Sequence, residues 1–171
     1  MRAFLQEPWI LQVRHLILEG NQLGDDGARV IAEGENLEKL QYLNLAQCGV
    51  GMEGAKAIAS AKDLKGLHVL RVRGNDIGLE GVYALAQASQ NNLPNLWKIT
   101  VRKQVDRHDP GEFYGEIDVE MMAQYGFTKK IDGGQTWQKQ ALQSSEEGEV
   151  KELSPQDILG WTAYAIYSTL T

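Results

Sequence analysis

The chain has 171 residues, 43% of them apolar and 23% charged, with a net charge of -6 and one cysteine, which suits one compact domain or a short repeat array with a second unit at one end. These proportions argue against global disorder and exclude an intramolecular disulfide framework, and nowhere do roughly 18 apolar residues follow one another as a membrane span needs. The charge is uneven: residues 1–103 carry 12 Lys and Arg against 11 Asp and Glu, a net of +1, whereas residues 104–171 carry 5 against 12, a net of -7.

Residues 1–9 contain Glu7 and Pro8 and lack the apolar run of a secretory signal. Together with the lone Cys48 this predicts a reducing, cytoplasmic setting. The segment leads at once into the apolar positions Ile10, Val13, Leu16 and Leu18, with nothing long enough to form an N-terminal capping helix. The open end of a repeat array needs cover. Either Phe4, Leu5 and Trp9 fold over it, or the uncapped edge pairs with a second copy to give a homodimer, or the chain belongs to a longer protein.

From Val13 onward one apolar phrase recurs every 27 residues: Val13, Leu16, Leu18, Asn21, Leu23, then Leu40, Leu43, Leu45, Cys48, Val50, then Leu67, Leu70, Val72, Asn75, Ile77. Alternation around Leu16 and Leu18 predicts a short strand with one buried face. A glycine-flanked acidic turn follows each strand: Gly24-Asp25-Asp26-Gly27-Ala28, Gly51-Met52-Glu53-Gly54-Ala55 and Gly78-Leu79-Glu80-Gly81-Val82. Each opens an amphipathic helix, with Asp25, Asp26, Glu53 and Glu80 complementing helix N-termini. At the position of Asn21 and Asn75 an amide side chain can satisfy backbone groups freed where the chain leaves the strand, and Cys48 occupies that position in the second repeat. Cys48 reads as a small buried hydrophobe rather than a reactive thiol.

A fourth copy starts at Leu93, Leu96, Ile99 and Val101, two residues later than the period requires, with the extra length near Gln90-Asn91-Asn92. The phrase then lapses into polar residues, which places a boundary near residue 104. Two units result, a repeat array over residues 1–103 and an acidic capping region over residues 104–171. In the latter, residues 116–125 predict a helix stopped by Gly126, and residues 128–132 and 136–142 a hairpin around Gly133-Gly134. After an acidic linker at residues 144–149, Ser154-Pro155-Gln156-Asp157 predicts the start of a last helix, with apolar positions Ile158, Leu159, Trp161, Ala165, Ile166 and Leu170. Trp9, Trp97, Trp137 and Trp161 are expected in core or capping roles.

The phrase LxxLxLxxNxLGxxGAxxIA, carried by Leu16-Ile17-Leu18-Glu19-Gly20-Asn21-Gln22-Leu23-Gly24-Asp25-Asp26-Gly27-Ala28 and its later copies, resembles leucine-rich-repeat proteins of the ribonuclease-inhibitor-like type over residues 10 to about 102. The resemblance implies an α/β fold: a short right-handed solenoid with parallel strands concave and helices convex, here closed by a C-terminal α+β cap. It also implies a family dominated by protein-protein recognition, with small-GTPase activators among its members, so regulation of a small GTPase or another enzyme is the alternative function. A small enzymatic or regulatory domain at residues 104–171 is a further one.

If the strands stack in register, the residues flanking the buried leucines form three rows on the concave face. The first is His15, Tyr42, Val69, Lys98; the second Ile17, Asn44, Arg71, Thr100; the third Glu19, Ala46, Arg73, Arg102. One half is basic, which predicts a non-catalytic module gripping a protein with an acidic contact surface, anchored by Tyr42 with Arg71 or Arg73. The acidic tail is a candidate internal occupant of the same face.

No chemistry emerges beside this. His15, His68 and His108 have no metal-ligand spacing, and Asp106, His108 and Asp109 sit in a turn with Pro110 and Gly111. No phosphate-cradling or nucleophile motif is present, so neither cofactor, metal nor catalysis is expected. Nucleic acid is disfavoured as a partner, because four basic residues without clustered aromatics on an acidic protein make a poor phosphate-binding surface.

Overall fold

A computed structural model of the protein describes residues 2–101, 118–131, 135–139 and 162–164. In chain order these form α1 (Arg2–Leu5), a 3-10 turn (Pro8–Gln12), β1 (His15–Ile17), α2 (Gly24–Ala32), β2 (Tyr42–Asn44), α3 (Met52–Ala59), β3 (Val69–Arg71), α4 (Gly78–Ala88), β4 (Lys98–Val101), α5 (Val119–Gln124), β5 (Phe127–Ile131), β6 (Gln135–Lys139) and β7 (Thr162–Tyr164). All seven strands join one sheet, in the order β5-β6-β4-β3-β2-β1-β7.

The repeat phrase becomes a stack. Strands β1 to β4 pair in parallel with Leu16, Leu43, Leu70 and Ile99 in one register row. All four are fully buried against Ala28, Ile31, Ala55, Ile58, Val82 and Leu85 of the helices, and removing each such side chain from water contributes roughly 1.5–3 kcal/mol. Small residues let the helices approach. A Cβ on Gly54 would lie 3.1 Å from the Ala28 Cβ and 2.5 Å from Asp25 Oδ1.

The polar position after each strand ties one repeat to the next. Asn75 Oδ1 accepts from Cys48 N at 2.9 Å and Val50 N at 3.1 Å, while its Nδ2 donates to Leu45 O at 2.7 Å and Val72 O at 2.9 Å. Asn21 Nδ2 donates to Leu18 O, and the Cys48 thiol donates to the same carbonyl at 3.0 Å. Just before these residues the chain turns left-handed in each of the first three repeats, with φ of +80° at Gly20, +54° at Gln47 and +73° at Gly74. Gln47 alone of the three carries a side chain there.

The fourth repeat absorbs its two extra residues in a longer helix and the turn after it. Helix α4 runs 11 residues where α2 and α3 run 9 and 8, and Leu93 N bonds back to Ala88 O. Leu93, Leu96, Ile99 and Val101 are consequently buried. Beyond it, α5 starts at Val119, later than the apolar pattern suggests, because the Asp118 carboxylate accepts from Glu120 N and Met121 N and caps the helix there. Hairpin β5-β6 then extends the sheet, β6 lying antiparallel to β4 with Trp137 opposite Ile99. Met122, Phe127 and Trp137 share the core of the repeats. Lys139 stands at its rim, donating to Ser89 O at the end of α4 with its Nζ 5.4 Å from the Phe127 ring centre.

Two expectations need correction. A helix does not run through residues 162–164, which form β7, paired in parallel with β1. Thr and Tyr favour extended backbone, and β1 supplies an edge whose N–H and C=O groups need partners; the rest of the expected helix lies outside the described residues. For the same reason the N-terminal edge is not uncapped. Leu5 and Ile10 are buried at this end and Arg2 meets Glu33 at 3.3 Å, although Trp9 remains 43% exposed.

Candidate functional site

Because Leu16, Leu43, Leu70 and Ile99 face the helices, the residues flanking them face the opposite way. The pairing His15↔Tyr42↔Val69↔Lys98 and Ile17↔Asn44↔Arg71↔Thr100 reproduces the first two expected rows, and β6 adds Gln138 beside Lys98 and Thr136 beside Thr100. The third row lies just past the strands, where the ladder continues through Gly20 N to Ala46 O and Gln47 N to Arg73 O. Arg102 lies outside the described residues, as do Asp106, His108, Asp109, the linker at residues 144–149 and Trp161.

Side chains on this face are linked across repeats. The His15 ring meets Tyr42 edge-on, with centroids 5.9 Å apart, and Tyr42 Oη accepts from Arg71 Nη1 at 3.1 Å. A second group starts at Glu19, whose Oε2 accepts from Asn44 Nδ2 at 2.8 Å and whose Oε1 lies 3.9 Å from Arg73 Nη2. Glu19 leaves the first repeat and Arg73 the third, so their side chains meet across the second. Ala46, which lies between them, is fully buried.

Three residues of the expected rows therefore present little surface. Asn44 is 2% exposed, its Oδ1 taken by Ala46 N at 3.0 Å. Val69 and Ala46 are likewise buried. His15, Ile17, Glu19, Tyr42, Arg71, Arg73, Lys98 and Thr100 keep partial or full exposure. Alternation placed all of these on one face but carried no sign that Glu19 reaches Asn44 and Arg73. Burial, and then the nearby Arg14 charge, hold the His15 pKa below the usual histidine value, so the face carries its positive charge on arginine and lysine.

The remaining candidates scatter. His68 lies just before β3 with a buried, unpartnered Nδ1, and burial lowers its pKa. Burial raises that of the Cys48 thiol. Trp137 is a core residue, its Nε1 also unpartnered. Among the described residues, no three His, Cys, Asp or Glu side chains gather closely enough to hold a metal ion, and no helix is long and apolar enough to cross a membrane.

The strand-turn-helix units seen here coincide with matches to the family described as Leucine Rich repeat, at residues 13–32, 36–59 and 67–86. Residues 13–86 are thus built of leucine-rich repeats. Such repeats generally mediate protein-protein interaction and are typically non-catalytic. Among curated proteins, none matches the chain.

Proposed function

We propose that the protein is a non-catalytic interaction module of the ribonuclease-inhibitor-like type that binds an acidic segment of a partner protein on the strand face turned away from its helices. The observation that carries this reading is the grouping on one face of Arg71 in β3, Arg73 just past it and Lys98 in the neighbouring β4, beside the partly exposed Tyr42. Tyrosine and arginine are the side chains most often found at the energetic centre of protein interfaces, and a basic face steers acidic partners toward it. The subtype is supported by a true helix in each of the first three repeats.

Residues 118–139 serve in this reading as a cap rather than as a second functional unit, since β6 is hydrogen-bonded to β4 and Trp137 packs in the core of the repeats. An edge-to-edge homodimer is not part of it, because β7 occupies the β1 edge. The buried Cys48 accords with a reducing, cytoplasmic setting.

The test is the fluorescence anisotropy of a labelled hexaglutamate peptide at low ionic strength. Binding by the parent chain that is lost in the Arg71→Glu/Arg73→Glu double variant, with an unchanged circular dichroism spectrum, supports the reading. Equal binding by both chains places the interface elsewhere.

A further inference from the structure

We infer that Asn44 and Arg73 form a carboxylate-binding subsite on this face, and that Glu19 fills it as a built-in placeholder until a carboxylate of the partner's acidic segment displaces it. The inference rests on the proposed role of the face and deepens it by naming the group that is exchanged.

The subsite is held in place independently of its occupant. Asn44 is almost wholly buried, and Ala46 N–H, which can only donate, fixes its carbonyl oxygen. The Asn44 amide nitrogen must therefore turn toward Glu19, which it meets at 2.8 Å. Arg73 brings a planar fork of donors suited to grip a carboxylate with two parallel hydrogen bonds.

Glu19 uses this arrangement only in part. Its second oxygen stays 3.9 Å from Arg73 Nη2, too far for a hydrogen bond. The cause is its tether: Glu19 leaves the first repeat and must reach across the second to meet an arginine of the third. A carboxylate arriving on another chain has no such tether and can align with the fork. Both members of the pair are substantially exposed, at 42% for the Arg73 side chain and 34% for Glu19, so the contact is screened by solvent and weak enough to exchange. Arg71 lies alongside, its Nη1 hydrogen-bonded to the uncharged oxygen of Tyr42.

Glu19→Gln isolates the effect, because the glutamine oxygen still accepts from Asn44 while the negative charge is gone. Glu38→Gln changes the net charge equally in the turn before β2, away from the strand face. In the hexaglutamate titration, Glu19→Gln is expected to bind about fivefold more tightly than the parent chain, the scale of one exposed ion pair, with Glu38→Gln unchanged. Should Glu19→Gln bind no more tightly than the parent while Arg71→Glu/Arg73→Glu still abolishes binding, the placeholder is wrong and the binding face stands. Equal tightening by Glu19→Gln and Glu38→Gln also overturns it, since net charge alone then accounts for the gain. Binding indifferent to Arg71→Glu/Arg73→Glu removes the face and the subsite together.

Discussion

Asp25 belongs to the first turn of α2, yet its Oδ1 accepts from Gly54 N at 2.9 Å in the first turn of α3, and from Gly51 N at 2.7 Å just before it. One repeat thus caps the helix of the next. Asp26, its neighbour in sequence, meets Arg29 on the surface instead, at 2.8 Å. Asp25→Ala is expected to lower stability by about 1 kcal/mol, as loss of a cap does, and Asp26→Ala by less than about 0.5 kcal/mol. Urea unfolding of the two variants decides it; equal losses would mean that the reach between repeats contributes nothing.

Asn75 should be the costlier polar residue to remove. Asn75→Ala leaves the buried backbone groups of Cys48, Val50, Leu45 and Val72 without the partners described above. At about 1–3 kcal/mol for each buried group left unsatisfied, reduced by local relaxation, a total loss of about 3 kcal/mol or more is expected. A loss under about 1 kcal/mol in urea unfolding would show that other donors and acceptors take its place.

Gln47 holds a φ of +54° where the equivalent residues of the neighbouring repeats are Gly20 and Gly74. Left-handed backbone costs a side-chain-bearing residue roughly 1–2 kcal/mol, offset in part by the greater freedom of glycine in the unfolded chain. Gln47→Gly is expected to raise stability by about 0.5 kcal/mol, read as a higher urea midpoint with an unchanged slope. A lower midpoint would mean that the Gln47 side chain packs against Gly74 strongly enough to outweigh the strain.

Acid should weaken the fold through histidine before the carboxylates titrate. His15 and His68 both have folded-state pKa values below the ordinary 6.5, so under mild acid the unfolded chain takes up protons that the folded chain resists. Stability is then complete above the unfolded value and declines as pH falls below it toward the depressed folded values. The urea midpoint should drop between about pH 7.5 and about pH 5.5. His15→Gln/His68→Gln should flatten that drop, and an identical drop in the double variant would assign the acid sensitivity to other groups.

The repeats were legible in the sequence because their period fixes both spacing and facing. Once Leu16, Leu43 and Leu70 share a row, the rows beside them follow from alternation, and the pairing of His15 with Tyr42 and Val69 needs nothing more. Helix α5 and hairpin β5-β6 carried local signals as well, Gly126 closing the first and Gly133-Gly134 linking the strands of the second. Strand β7 had none. Residues 162–164 sit inside a helical spacing of apolar residues, and their partner β1 is far away in sequence. The links among Glu19, Asn44 and Arg73 were hidden for a different reason, since the reach of a long side chain across a repeat leaves no periodic trace.

Strand β1 is the first of the seven to be synthesised and β7 the last. While the ribosome makes what lies between them, the growing repeats can already stack, because each contact in the stack joins neighbours and closes only a short loop. Throughout that interval β1 offers a row of unpaired N–H and C=O groups. On a polysome, where identical nascent chains are crowded together, the β1 edge is open to strands of adjacent chains until Tyr164 emerges. The order of synthesis, rather than the finished fold, makes that interval the period of greatest exposure to mispairing.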